Sequence, residues 1–106
     1  MVYLDNAATS WPKPPVVCET MINFLKMSCA NPGRSSHAMA RGSANAVLKT
    51  RELLAELFNI DNPLNIALTS NATMALNMAI QGILKKGDHV VTSAMEHNSV
   101  LRPLYE

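Results

Sequence analysis

Apolar residues recur at helical spacing in three stretches of the chain and run as short β-rich segments in two others. From Pro14 to about Met27, Val17, Met21, Phe24 and Leu25 fall on one face, which predicts a first helix. It should stop before Asn31-Pro32-Gly33-Arg34, because Pro32 disfavours helical geometry at Asn31 and Gly33 frees the backbone for a turn. Ser35 and Ser36 offer caps for a longer helix from about His37 to Asn59. There Val47, Leu48, Leu54, Leu57 and Phe58 form a stripe, and Lys49, Arg51, Glu52 and Glu56 lie largely outside it. The small residues Ala38, Ala40, Gly42, Ser43 and Ala44 permit close packing along its first turns.

Asn65-Ile66-Ala67-Leu68-Thr69-Ser70 alternates apolar with small or polar residues as a short strand does, and the chain continues as a helix from Ala72 through Leu84. Lys85-Lys86-Gly87-Asp88 should close that helix, with cations at its negative end and Gly87 in the capping role. His89-Val90-Val91-Thr92-Ser93 is β-rich and predicts a second strand. Strand, helix and strand make a βαβ unit with a right-handed crossover, so the fold class is α/β. Earlier, Val2-Tyr3-Leu4 leads into a tight polar loop, and Pro103 marks the start of a last helix.

Composition narrows the class without naming a chemistry. The 106 residues are 48% apolar and 16% charged, which suits a globular chain of one domain or less. Nine Lys and Arg against eight Asp and Glu leave a formal charge of +1. No basic block exists of the kind that nucleic acid or an anionic membrane requires, so neither is an expected partner. Cys18 and Cys29 lack a CxxC spacing and no secretory leader is evident, which points to a reduced, cytoplasmic setting rather than a disulfide framework.

In open parallel sheets ligands gather beyond the carboxyl ends of the strands, which here means 70–73 and 93–99. The unpaired first-turn amides of the helix that starts at Ala72, the dipole of that helix and the Thr73 hydroxyl suit a phosphate group. Ser70, Asn71 and Thr73 also suit plain helix capping, and the turn alone leaves both uses open. His97 would lie near an anion held at Thr73 and could stack on a ring, although a histidine of this kind is also an ordinary hydrogen-bonded residue. No second histidine sits at metal-ligand spacing, which argues against zinc, and Glu96 has no partner carboxylate for acid–base work.

Four segments carry a resemblance. Tyr3-Leu4-Asp5-Asn6-Ala7-Ala8-Thr9-Ser10, Asn31-Pro32-Gly33-Arg34-Ser35-Ser36-His37, Thr69-Ser70-Asn71-Ala72-Thr73, and Met95-Glu96-His97-Asn98 with Leu101-Arg102-Pro103 resemble, in family order, the cysteine desulfurases. These belong to the class V aminotransferase group of fold-type I enzymes that use pyridoxal 5′-phosphate (PLP). The resemblance implies a partial fold-type I fold: amino-terminal helices plus the first βαβ unit of the large-domain parallel sheet. Residues 1–30 would form an amino-terminal segment with the first helix, and 31–106 the start of the PLP-binding large domain. By the same resemblance Ala72 and Thr73 would hold the PLP phosphate, His97 would stack on the pyridine ring, and His37 would border the substrate pocket. For His37 a simple helix-start role stands equally open. The implied reaction converts L-cysteine to L-alanine and passes the sulfur to an enzyme Cys as a persulfide. The implied partners are an amino-acid substrate, a second copy in a homodimer and a sulfur-acceptor protein.

Two departures matter. Met74 stands where many relatives carry Glu, which removes an acid from the first turn of the helix and leaves its amides in place. The family's Schiff-base Lys, the acid facing the pyridine nitrogen, the substrate-carboxylate Arg and the nucleophilic Cys lie downstream in much longer chains. Neither the lysines here nor Cys18 and Cys29 match them. Two parallel strands also make an inadequate sheet. The expectation is therefore an amino-terminal fragment, with no catalytic residue of its own, inactive alone and dependent on its parent. The alternatives are another class V aminotransferase, a selenocysteine lyase, or a non-catalytic interaction module that retains these helices for partner binding.

Overall fold

A computed structural model describes residues 2–33 and 37–105, and these divide into two compact units, one up to Asn65 and one from Ile66 onward. In the first, helix α1 spans Pro15–Met27, with proline at its first position where a missing N–H costs nothing. Its end is closed by Ser28, whose N–H donates to Phe24 O at 2.9 Å. Helix α2 spans Ala38–Leu57. His37 caps it, Nδ1 accepting the Ala40 N–H at 3.3 Å; Ser35 and Ser36 lie outside the described residues. At its far end Asn59 takes φ 54°, Asn59 N–H reaches Glu56 O at 3.3 Å and Ile60 N–H reaches Ala55 O at 2.8 Å. That pair of bonds is a Schellman ending, with asparagine tolerating the left-handed position usually given to glycine.

The two helices of this unit are tied by small residues. Ser43, 3% exposed on α2, donates through Oγ to Ser28 O and accepts from Ala30 N–H at 3.2 Å. Ala40 and Ala55 are the buried apolar residues among those described in this unit, and side chains such as Met21, Ile22, Leu25 and Leu57 remain exposed. A 3-10 turn at Pro63–Asn65 packs on α2. Ahead of α1, the Tyr3 hydroxyl donates to Asp5 O and Thr9 O, and Lys13 Nζ donates to Thr9 Oγ1 and Ser10 O, which organises the polar loop after Leu4.

The second unit is built on helix α3, Ala72–Ile83, packed against helix α4, Asn98–Tyr105. The expected strands at 65–70 and 89–93 are not seen: no strand occurs among the described residues, which form helices joined by irregular segments, so they do not contain the expected βαβ unit. A parallel pair needs neighbouring strands and cover on both faces. Here Leu68, Val90 and Val91 are 47%, 41% and 87% exposed, so nothing repays the ordering of a ladder. Gly87, at φ 99°, serves a turn beyond α3 rather than its cap: Leu84 closes the helix, and Asp88 holds Lys85 through both backbone and side chain. Helix α4 also begins earlier than Pro103, which sits inside it and is buried.

Candidate functional site

Local bonding resolves which residue caps α3. Asn71 Oδ1 accepts the Met74 N–H at 2.8 Å, and Thr69 Oγ1 donates to Asn71 O at 2.9 Å. Asn71 is therefore the cap, and the Thr73 hydroxyl takes no part in it. The amides of Ala72 and Thr73, at the first two positions of the helix, have no intrahelical acceptor by virtue of place.

His97 stands immediately before α4 and works as its start signal. Its carbonyl accepts Val100 N–H at 2.9 Å and Leu101 N–H at 3.2 Å. Its ring Nδ1 accepts Ser99 N–H at 3.1 Å and lies 2.9 Å from Ser99 Oγ. Just upstream, Ser93 Oγ donates to Glu96 at 2.9 Å, which gives that carboxylate a local structural partner.

Packing of α3 on α4 brings the two segments together. Thr73, Asn77, His97, Asn98, Ser99 and Arg102 line one open cleft of about 350 Å³. Two of the four residues singled out in the sequence, Thr73 and His97, share it. Ala72 adjoins Thr73 at the helix start without lining the cleft, and His37 belongs to the first unit, where it caps α2.

Asn77 and Arg102 were not singled out. Asn77 lies one turn after Thr73 and is the polar residue in the apolar run from Met74 to Ile80, a signal open to reading from helical periodicity. Arg102 follows His97 by five positions, and only the start of α4 at Asn98 brings it to the same cleft. Chemically the cleft offers hydroxyl, amide and guanidinium donors next to an imidazole, a set suited to an anionic group attached to a flat ring. The phosphate and pyridine ring of PLP meet that description, so the residues present fit it.

The comparisons with known proteins agree in kind. The family model described as aminotransferase class-V matches residues 2–106. A probable cysteine desulfurase of Synechocystis sp. is 37% identical over 107 residues, covering 97% of this chain and 25% of the relative. The cysteine desulfurase IscS of Shewanella loihica is 42% identical over 106 residues, covering 94% and 26%, and that of Methylococcus capsulatus is 41% identical over 109 residues, covering 99% and 27%. No solved structure matches the chain. The chain thus spans about a quarter of the length of the curated relatives it matches. With the family match extending over nearly every residue, the chain belongs to the class-V aminotransferase family.

Proposed function

We propose that these residues are the amino-terminal part of a PLP-dependent cysteine desulfurase and supply its cofactor contacts. Family membership carries the fold-type I class with it, and in the parent the segments 65–70 and 89–93 would complete a βαβ unit once further strands flank them. Residues 1–30 would then serve as the amino-terminal segment and 31–106 as the opening of the large domain.

One observation carries the reading: Thr73 and His97 line a single cleft together with Arg102. Ala72 and Thr73 would bind the phosphate through amides that lack intrahelical acceptors, joined by the Thr73 hydroxyl and the positive end of α3. The flat imidazole of His97 would cover one face of the ring and exclude water from it. Arg102 would add a fixed positive charge. His37 is assigned to the border of the substrate pocket. Bound PLP supplies an electron sink for chemistry at the α-carbon of an amino acid.

The overall reaction is L-cysteine plus an enzyme thiol giving L-alanine plus an enzyme persulfide, in which one sulfur atom moves and no outside oxidant is consumed. Its lysine and cysteine belong to the parent, which we assign to the cytoplasm as a homodimer that hands sulfur to an acceptor protein. No helix among the described residues is long and apolar enough to cross a membrane.

The test is to supply the parent protein with PLP, reduce it with borohydride, weigh it, and assay an unreduced portion with L-cysteine and a thiol reductant. One PLP per chain and equal yields of sulfide and alanine are expected. Turnover of selenocysteine alone would reassign it as a selenocysteine lyase, and transamination without sulfide as another class V enzyme. Absence of any PLP adduct would overturn the reading and favour an interaction module.

A further inference from the structure

The helix α4 contains a proline at its sixth position, and the consequence falls on one atom. Pro103 has no N–H, so the carbonyl of Ser99, four residues earlier, loses its regular helical donor. Asn77 of α3 supplies a substitute: its Nδ2 donates to Ser99 O at 3.3 Å. The same nitrogen, with its second hydrogen, donates to Thr73 O at 2.9 Å. A single side-chain amide therefore spans the two segments that line the cleft.

Ser99 in turn governs His97. It is 7% exposed, and its backbone N–H can only donate. The Nδ1 that receives it at 3.1 Å must present a lone pair, and the neutral ring must carry its proton on Nε2. The Ser99 hydroxyl, 2.9 Å from the same nitrogen, acts there as a second donor.

We propose that Asn77 and Ser99 are positioning residues: Ser99 locks the His97 imidazole as the Nε2–H tautomer, and Asn77 ties Ser99 to Thr73 so that the anion turn and the imidazole face keep one fixed spacing. The functional consequence rests on the proposed PLP reading, because a ligand with a phosphate at one end and a ring at the other feels that spacing. Inorganic phosphate, which touches the turn alone, does not.

The test uses the full 106-residue chain labelled with 15N. Two-bond proton–nitrogen spectra should show His97 with Nδ1 unprotonated and Nε2 protonated. Asn77→Asp removes the donor and faces two carbonyls with a carboxylate. Asn77→Leu removes the donor without that repulsion and keeps the side chain close in size. Both should shift the amide signals of Thr73 and His97 together, spread His97 over both tautomers, and weaken PLP binding about five- to tenfold, the range expected when a part-buried hydrogen bond is lost. Affinity for inorganic phosphate should change less than about twofold on the same scale.

Mixed tautomers at His97 in the wild-type chain, or unchanged Thr73 and His97 signals in both variants, would overturn the strut regardless of PLP. A locked wild-type tautomer that both variants release, beside a parent protein that takes up no PLP, would uphold the strut and overturn the cofactor reading.

Discussion

Gly42 of α2 faces Ser28 at the end of α1 so closely that a Cβ there would stand 2.7 Å from Ser28 Oγ and 3.0 Å from its Cβ. Gly82 of α3 is the counterpart without a neighbour, with nothing within 4 Å of the same atom. An alanine in a helix interior gains roughly 0.5–1 kcal/mol over glycine when space is free. Gly82→Ala should therefore raise stability by about that amount. At Gly42 the overlap costs about 1–3 kcal/mol, so Gly42→Ala should show no gain or a net loss. Paired thermal melts decide this, and equal gains at both sites would contradict the close approach.

The cap of α3 is open to change from both ends of its bond. Asn71→Ala removes the acceptor for Met74 N–H and should cost about 1 kcal/mol. Met74→Glu places a carboxylate three residues after the cap, completing a capping box and complementing the dipole. It should return roughly 0.3–1 kcal/mol. Urea titration monitored by circular dichroism reads both, and a destabilising Met74→Glu would show that the Met74 side chain matters more than the helix start.

Thr73→Val preserves the shape of the side chain and both first-turn amides while deleting the hydroxyl. Because the hydroxyl does not serve the cap, stability should stay within about 0.5 kcal/mol of wild type. PLP affinity should fall about fivefold, the scale of one hydrogen bond to a charged group moderated by solvent. Fluorescence titration with PLP measures the second quantity. Unchanged affinity would remove Thr73 from the site.

The donor that Pro103 lacks predicts a coupling. Pro103→Ala restores an N–H opposite Ser99 O, so the bond from Asn77 becomes redundant. Asn77→Leu should cost about 0.5–1.5 kcal/mol in the wild-type background and clearly less beside Pro103→Ala. The double-mutant cycle subtracts the cavity that Pro103→Ala creates on its own. Strict additivity would mean that Asn77 supports α4 in some other way.

Helices α1, α2 and α3 were legible in the sequence, whereas α4 begins at Asn98 and not at Pro103, where a proline suggested a helix start. Periodicity at Val17, Met21, Phe24 and Leu25 located α1 to within a residue of Pro15–Met27, and the stripe ending at Leu57 and Phe58 located α2. Asn71 before Ala72 marked the start of α3. Helical signals are local: hydrogen bonds, caps and the apolar face all lie within a few residues, so a short window contains them.

The strands at 65–70 and 89–93 were equally visible as a pattern and yet are not seen, because a parallel ladder takes its bonds from distant segments, which the described residues do not provide. Thr73 and His97 were legible as candidates from a turn and a loop. That they share a cleft with Asn77 and Arg102 was decided by the packing of α3 on α4. Whether Asn77 spans Thr73 and Ser99 depends on where two helices cross and on a carbonyl that Pro103 leaves without a donor. No single segment of the sequence contains that relation, since it exists only when residues 22 positions apart come within hydrogen-bond distance.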